Sequence, residues 1–137
     1  MIIIFIVVVI LIGVVAFTVY ARRKREAFLE AHPDVTRIKL RLARTFPELN
    51  AYRLLKGDAS YTLDKSKIYV CTRDKRTKRE YDDNMLTYVT LHELAHCLTP
   101  EIGHGTEFKK TFASLIGRAI SNNLYDPTIP RVRDYCV

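Results

Sequence analysis

The chain has 137 residues, 22 Lys+Arg against 15 Asp+Glu and a formal net charge of +7. That length suits one domain of ordinary size, and the composition excludes a disordered tail protein, a collagen-like fibre and a multi-pass membrane protein. Every charged residue lies after position 20, so an apolar start is followed by a basic remainder long enough to bury a core.

Residues 2–19 run without a charge. At about 1.5 Å per residue, a helix of that length spans a hydrocarbon layer of ~30 Å. In lipid the backbone must satisfy its own hydrogen bonds, so helix is the one single-segment solution even for a run rich in Ile and Val. Arg22, Arg23, Lys24 and Arg25 follow the span and no charged side chain precedes it. The positive-inside rule then puts the C-terminal part in the cytosol, as a single-pass membrane protein. A cleaved signal peptide is the alternative, but there is no basic n-region and the apolar run is long for one. Cys71, Cys97 and Cys136 are odd in number and form no Cys-x-x-Cys pair. Reduced thiols in a cytosol-facing domain are expected.

The expected organisation is a transmembrane helix over 1–20, a basic juxtamembrane segment over 21–33 and a domain over 34–137. Residues 22–31 read as a charged helical extension of the span, interrupted at His32-Pro33. Asp34 is a plausible N-cap for a helix over 35–46, with Val35, Ile38, Leu42 and Phe46 at helical spacing and Pro47 closing it. Residues 49–55, 60–63 and 67–72 read as short antiparallel strands. Between 73 and 79, five cations (Arg73, Lys75, Arg76, Lys78, Arg79) make a loop. That loop is either a solvated surface or a contact for the phosphates of nucleic acid or anionic lipid. Asp82-Asp83-Asn84 caps a helix over about 85–98 that is apolar nearly all round, hence central and buried. Pro100 stops it. A last helix over about 106–120 presents Phe108, Phe112, Leu115, Ile116 and Ala119 on one face, and an extended tail follows.

The central helix carries His92-Glu93-Leu94-Ala95-His96. Histidines at i and i+4 lie one turn apart on one face, so both imidazoles can reach a single Zn²⁺ at ~2.0–2.1 Å. Glu93 sits about 100° round the helix, close enough to contact a water at the metal without being a ligand. Three polar groups on a buried helix would cost several kcal/mol unless something satisfied them. A catalytic zinc takes three protein ligands and keeps an open position. His104 is the candidate third ligand, set between Gly103 and Gly105 beyond the helix stop; Glu101 and Glu107 are alternatives. His32 stands apart and reads as a surface histidine. Cys97 and Cys71 read as small core residues.

The run from Leu91 to Phe108, His92-Glu93-Leu94-Ala95-His96 then His104-Gly105-Thr106-Glu107-Phe108, resembles the WLM-domain and SprT-like zinc metalloproteases. The likeness covers about residues 34–125. It implies His92, His96 and His104 as zinc ligands, Glu93 as catalytic base, and a minimal zincin-like α+β domain with a small antiparallel sheet around a central HExxH helix. The chain also looks like short, membrane-anchored members encoded by large DNA viruses. WLM and SprT-like proteases are associated with digesting proteins cross-linked to DNA; this chain departs from them in starting with a membrane span.

The expected activity is therefore zinc-dependent hydrolysis of a protein or peptide substrate, with Glu93 taking the proton of the attacking water. The substrate is expected to lie extended along an edge strand at 67–72. Tyr88, Tyr125 and Tyr135 are candidate oxyanion donors, although packing explains each of them too. Two other classes compete: a non-catalytic zinc-stabilised module tethering a partner at a membrane, and a membrane-tethered nucleic-acid binder using residues 73–79. Besides the bilayer itself, contacted through residues 2–20, the expected partners are anionic lipid or DNA, met by Arg22, Arg23, Lys24, Arg25, Arg73, Lys75, Arg76, Lys78 and Arg79.

Overall fold

The computed structural model describes residues 1–136. The chain is α+β. Helix α1 (Ile2–Glu30) is followed by α2 (Pro33–Ala43), a 3-10 turn (Pro47–Ala51), strands β1 (Arg53–Lys56), β2 (Tyr61–Leu63) and β3 (Lys67–Val70), and helices α3 (Asp83–Leu98) and α4 (Thr106–Ser121).

α1 runs unbroken from the apolar segment into the charged extension and buries none of its residues. Its far end docks on the sheet through ion pairs. Glu26 reaches Lys67 and Arg53, each at 2.7 Å, and Glu30 reaches Arg53 at 2.9 Å. Lys67 above all, then Arg53, hold the Glu26 carboxyl below its usual range.

α2 begins two residues earlier than expected. The Nδ1 of His32, not Asp34, caps it by accepting from the Asp34 amide at 3.3 Å, and Pro33 fills the first turn, where no amide donor is needed. Val35, Ile38 and Leu42 are buried as the spacing requires, and Phe46 follows them inside. His32 is also 2.9 Å from Lys56 through Nε2, so it joins α2 to β1 and is not a free surface group. The strand expected over 49–55 is a 3-10 turn that buries Leu49, followed by the shorter β1.

The sheet is mixed where an antiparallel one was expected. Its order is β1-β3-β2, with β1 parallel and β2 antiparallel to β3. β2 and β3 form a hairpin whose turn residues Asp64 and Lys65 have φ of 50° and 47°, closed by a 3.1 Å bond from the Ser66 amide to the Leu63 carbonyl. Two positive φ values give the turn a twist that suits a hairpin. β1 pairs with the other side of β3. β3 is consequently the central strand, not the substrate-binding edge expected at 67–72, and β2 is the edge beside α3.

α3 packs between the sheet and α4, with Leu86, Leu91, Leu94 and Ala95 fully buried. Asp82 caps it by accepting from the Met85 amide at 2.7 Å. Phe108, Leu115 and Ala119 of α4 close the core from the other side, with Phe112 and Ile116 half-buried against it.

Cys71 and Cys136 form a disulfide, with Cα atoms 6.2 Å apart. This corrects the expectation of reduced thiols. An odd count leaves one cysteine over but does not forbid a pair, and folding brings together two residues 65 apart in sequence. Cys97 remains free and buried.

Candidate metal centre

α3 and the loop after it bring the three expected histidines together. His92 and His96 project from one face of α3, their ring centroids 5.0 Å apart. The chain leaves α3 at Thr99, whose hydroxyl bonds back to the Ala95 carbonyl at 2.9 Å. It then turns through Gly103, where φ is +87° and a side chain would be strained. His104 follows at once. Its Nε2 is 3.1 Å from the Nε2 of His96 and 3.1 Å from that of His92.

Three imidazole nitrogens pointing at one spot is the arrangement a tetrahedral cation requires. Ligands at ~2.0–2.1 Å and tetrahedral angles stand about 3.3 Å apart, close to the separations seen here. Each imidazole can offer a ligand nitrogen to the same point, so the residues present fit a divalent ion such as zinc. Burial first, then the neighbouring imidazoles, push His92 down to about 4, and burial with His104 lowers His96. Both rings are neutral at pH 7, the form that ligates. Phe108 backs the cluster, its ring 4.3 Å from that of His96 and 4.6 Å from that of His104.

Glu101 is not among the converging groups. Its Oε1 accepts from the Phe108 amide at 2.6 Å and caps α4. A Cβ on Gly105 would collide with that carboxylate, so glycine there keeps the cap in place. Glu107 is exposed in the first turn of α4.

Glu93 is buried at 7 % exposure. The Thr62 hydroxyl on β2 lies 3.0 Å from its Oε2 and donates to it. Burial raises the Glu93 pKa, and the Thr62 bond offsets part of that rise. Glu93 and His92, with Ser60, border two cavities that meet there. One, of about 690 Å³, lies against the tail; the other, of about 610 Å³, lies against β2 and the His104 loop. Together they form a cleft across the histidines. Thr62 and Ser60 had no sequence signal, because their role depends on how β2 is placed beside α3.

The three tyrosines differ. Tyr135 has its hydroxyl 2.9 Å from Ser60 Oγ and bonded to the Cys71 carbonyl. Tyr125 is buried. Tyr88 lines the cleft one turn before His92 and receives a hydrogen bond from Arg131. None of the cations in 73–79 lines the cleft. Arg73 pairs with Glu80 at 2.9 Å, while Asp74 accepts from the amides of Arg76 and Thr77.

The chain is 46% identical over 87 residues to uncharacterized protein 042R of Invertebrate iridescent virus 3, covering 64% of this chain and 55% of that one. It is 43% identical over 86 residues to uncharacterized protein 136R of Invertebrate iridescent virus 6, covering 61% and 48%. A third relative, uncharacterized protein R325 of Acanthamoeba polyphaga mimivirus, is 48% identical over 67 residues, covering 48% and 34%. The chain thus spans about half the length, or less, of the curated relatives it matches. No protein-family model matches it, and no solved structure matches it.

Proposed function

We propose that this chain is a membrane-anchored, zinc-dependent metallopeptidase of the WLM and SprT-like kind. The observation that carries the reading is the meeting of three imidazole Nε2 atoms 3.1 Å apart with a buried carboxylate one residue along the same helix. His92, His96 and His104 would hold the ion. When bound, zinc supplies Lewis acidity toward water and a peptide carbonyl at neutral pH. Glu93 accepts the proton of the attacking water and returns it to the leaving amine. Its raised pKa suits both transfers, and Thr62 keeps Oε2 oriented. The outer edge of β2, whose Tyr61 and Thr62 line the cleft, is the site for an extended substrate in place of 67–72. Of the two tyrosines that line the cleft, Tyr135 already donates to the Cys71 carbonyl, whereas the Tyr88 hydroxyl accepts from Arg131 and keeps its own proton for a developing oxyanion.

The apolar part of α1 anchors the protein, Arg22 to Arg25 meet anionic headgroups, and the four cations put the domain on the cytosolic side. The purified full chain in detergent should bind one zinc and cleave casein. His104→Ala should retain zinc weakly, and Glu93→Gln should keep zinc while losing at least about 100-fold in rate. Full zinc binding without cleavage by the wild type would support the tethering module instead. Undiminished cleavage by Glu93→Gln would remove the assigned base.

A further inference from the structure

The cleft is asymmetric in charge. On the far side of His92 and Glu93 from the His104 loop, its wall is the C-terminal tail. Arg131 and Arg133 stand in that wall, and Glu93 is the acidic residue among those lining this half. Among the described residues neither arginine takes part in an ion pair. The other half carries both signs, Asp64 and Glu101 against Lys65.

Arg131 is held in place, and the tail is fastened just beyond Arg133. The Arg131 guanidinium lies 4.6 Å from the centroid of the Tyr88 ring and donates to the Tyr88 hydroxyl. Tyr88 is itself packed edge-on against Phe112 at 5.2 Å. That leaves most of the five guanidinium donors unused. Beyond Arg133 the tail is fastened by the Cys71–Cys136 disulfide, by the Cys136 amide donating to the Tyr81 hydroxyl at 3.0 Å, and by Tyr135 on Ser60. Arg131, held by its ring contact, and Arg133, on the backbone just before the fastened residues, therefore stand with spare donors at one end of a cleft whose opposite wall is a strand edge. A strand edge pairs with a peptide main chain, which favours a polypeptide over a nucleic acid as occupant.

We propose that the tail half of the cleft is a recognition subsite for an acidic side chain of an extended peptide, with Arg131 and Arg133 as its specificity-determining residues. This rests on the peptidase reading, whose substrate class it narrows.

The test uses the full chain in detergent carrying Glu93→Gln, so that binding is read without turnover. Fluorescein-labelled decapeptides differ only in a central Glu, Gln or Lys, and their affinities are measured by anisotropy at low salt. The Glu peptide should bind about fivefold tighter than the Gln peptide, and the Lys peptide weakest. Adding Arg131→Glu and Arg133→Glu should reverse the order, with zinc content unchanged as the check on folding; Arg133→Gln alone should reduce the preference without reversing it. Equal affinity for all three peptides, or a Glu preference that survives the double reversal, overturns the subsite. An oligo(dT) that binds as tightly as the Glu peptide and is lost in the double variant would also overturn it, in favour of phosphate. Wild-type cleavage of the same peptides separates the two readings. Cleavage without Glu preference defeats the subsite alone, and Arg-dependent Glu binding without cleavage defeats the peptidase reading alone.

Discussion

Glu93 and His92 are neighbours on α3 whose titrations pull stability in opposite directions. Burial raises Glu93, so the folded protein holds that proton more tightly than the unfolded chain, and ionised Glu93 destabilises the fold at pH 7. Burial depresses His92 from 6.5 to about 4, so between those values the unfolded chain binds the extra proton and the fold loses stability on acidification. Metal-free Glu93→Gln should accordingly melt above metal-free wild type at pH 7, by about 1 kcal/mol. The gap should close as the pH falls and Glu93 takes up its proton. The metal-free wild type should also lose stability from pH 6.5 toward 4, a slope that His92→Gln flattens. Melting curves of EDTA-treated protein across that range measure both effects; a Glu93→Gln gap that widens in acid would contradict the burial of the carboxylate. The same residues explain what was legible. His92, Glu93 and His96 are visible because one helix sets their spacing. Thr62, which orients Glu93, is not, because its partner is 31 residues away.

Among the elements, the tail after α4 lies on the domain as an extended segment, as its sequence suggested, but its place beside the histidines was not legible. Residues 122–136 form no helix or strand, yet they wall the cleft. A disulfide joining residues 65 apart removes unfolded-chain entropy worth about 4 kcal/mol in the simplest treatment. Reduction, or Cys71→Ser with Cys136→Ser, should lower the melting temperature and make the peptide bond after Arg131 or Arg133 accessible to trypsin. An unchanged digestion pattern would mean that the aromatic and Tyr81 contacts hold the tail alone. α3 and α4 were readable to within about two residues because caps and stops are local, Asp82 at α3 and Gly105 before α4, whereas α2 starts and ends two to three residues earlier than its spacing suggested. The sheet was not. Strands of three and four residues leave little periodicity, and parallel pairing of β1 with β3 is a long-range choice that alternation cannot encode.

For the whole molecule, α1 runs as one continuous helix from a segment long and apolar enough to cross a membrane into the domain. Its docking through Glu26 and Glu30 onto Arg53 and Lys67 leaves no flexible linker between that segment and the sheet. The cations after the span and the disulfide point to opposite compartments, since cytosolic thiols are kept reduced. If the domain is cytosolic, protease added outside sealed microsomes should digest it, and alkylation in reducing cells should label Cys71 and Cys136. Protection from protease, with both cysteines unreactive, would place it on the lumenal side.

The sequence by itself determined the apolar span, the helical register of His92, Glu93 and His96, the core face of α4 and the positive charge. Each of these is a matter of spacing along one segment, where neighbouring side chains and local hydrogen bonds decide the outcome. Only the tertiary structure decided that His104 and not Glu101 meets the other imidazoles, that β2 and not the segment at 67–72 borders the cleft, and that Cys71 pairs with Cys136. Those depend on which distant surfaces are buried against one another, and the free energy of that burial belongs to the assembled core rather than to any stretch of chain.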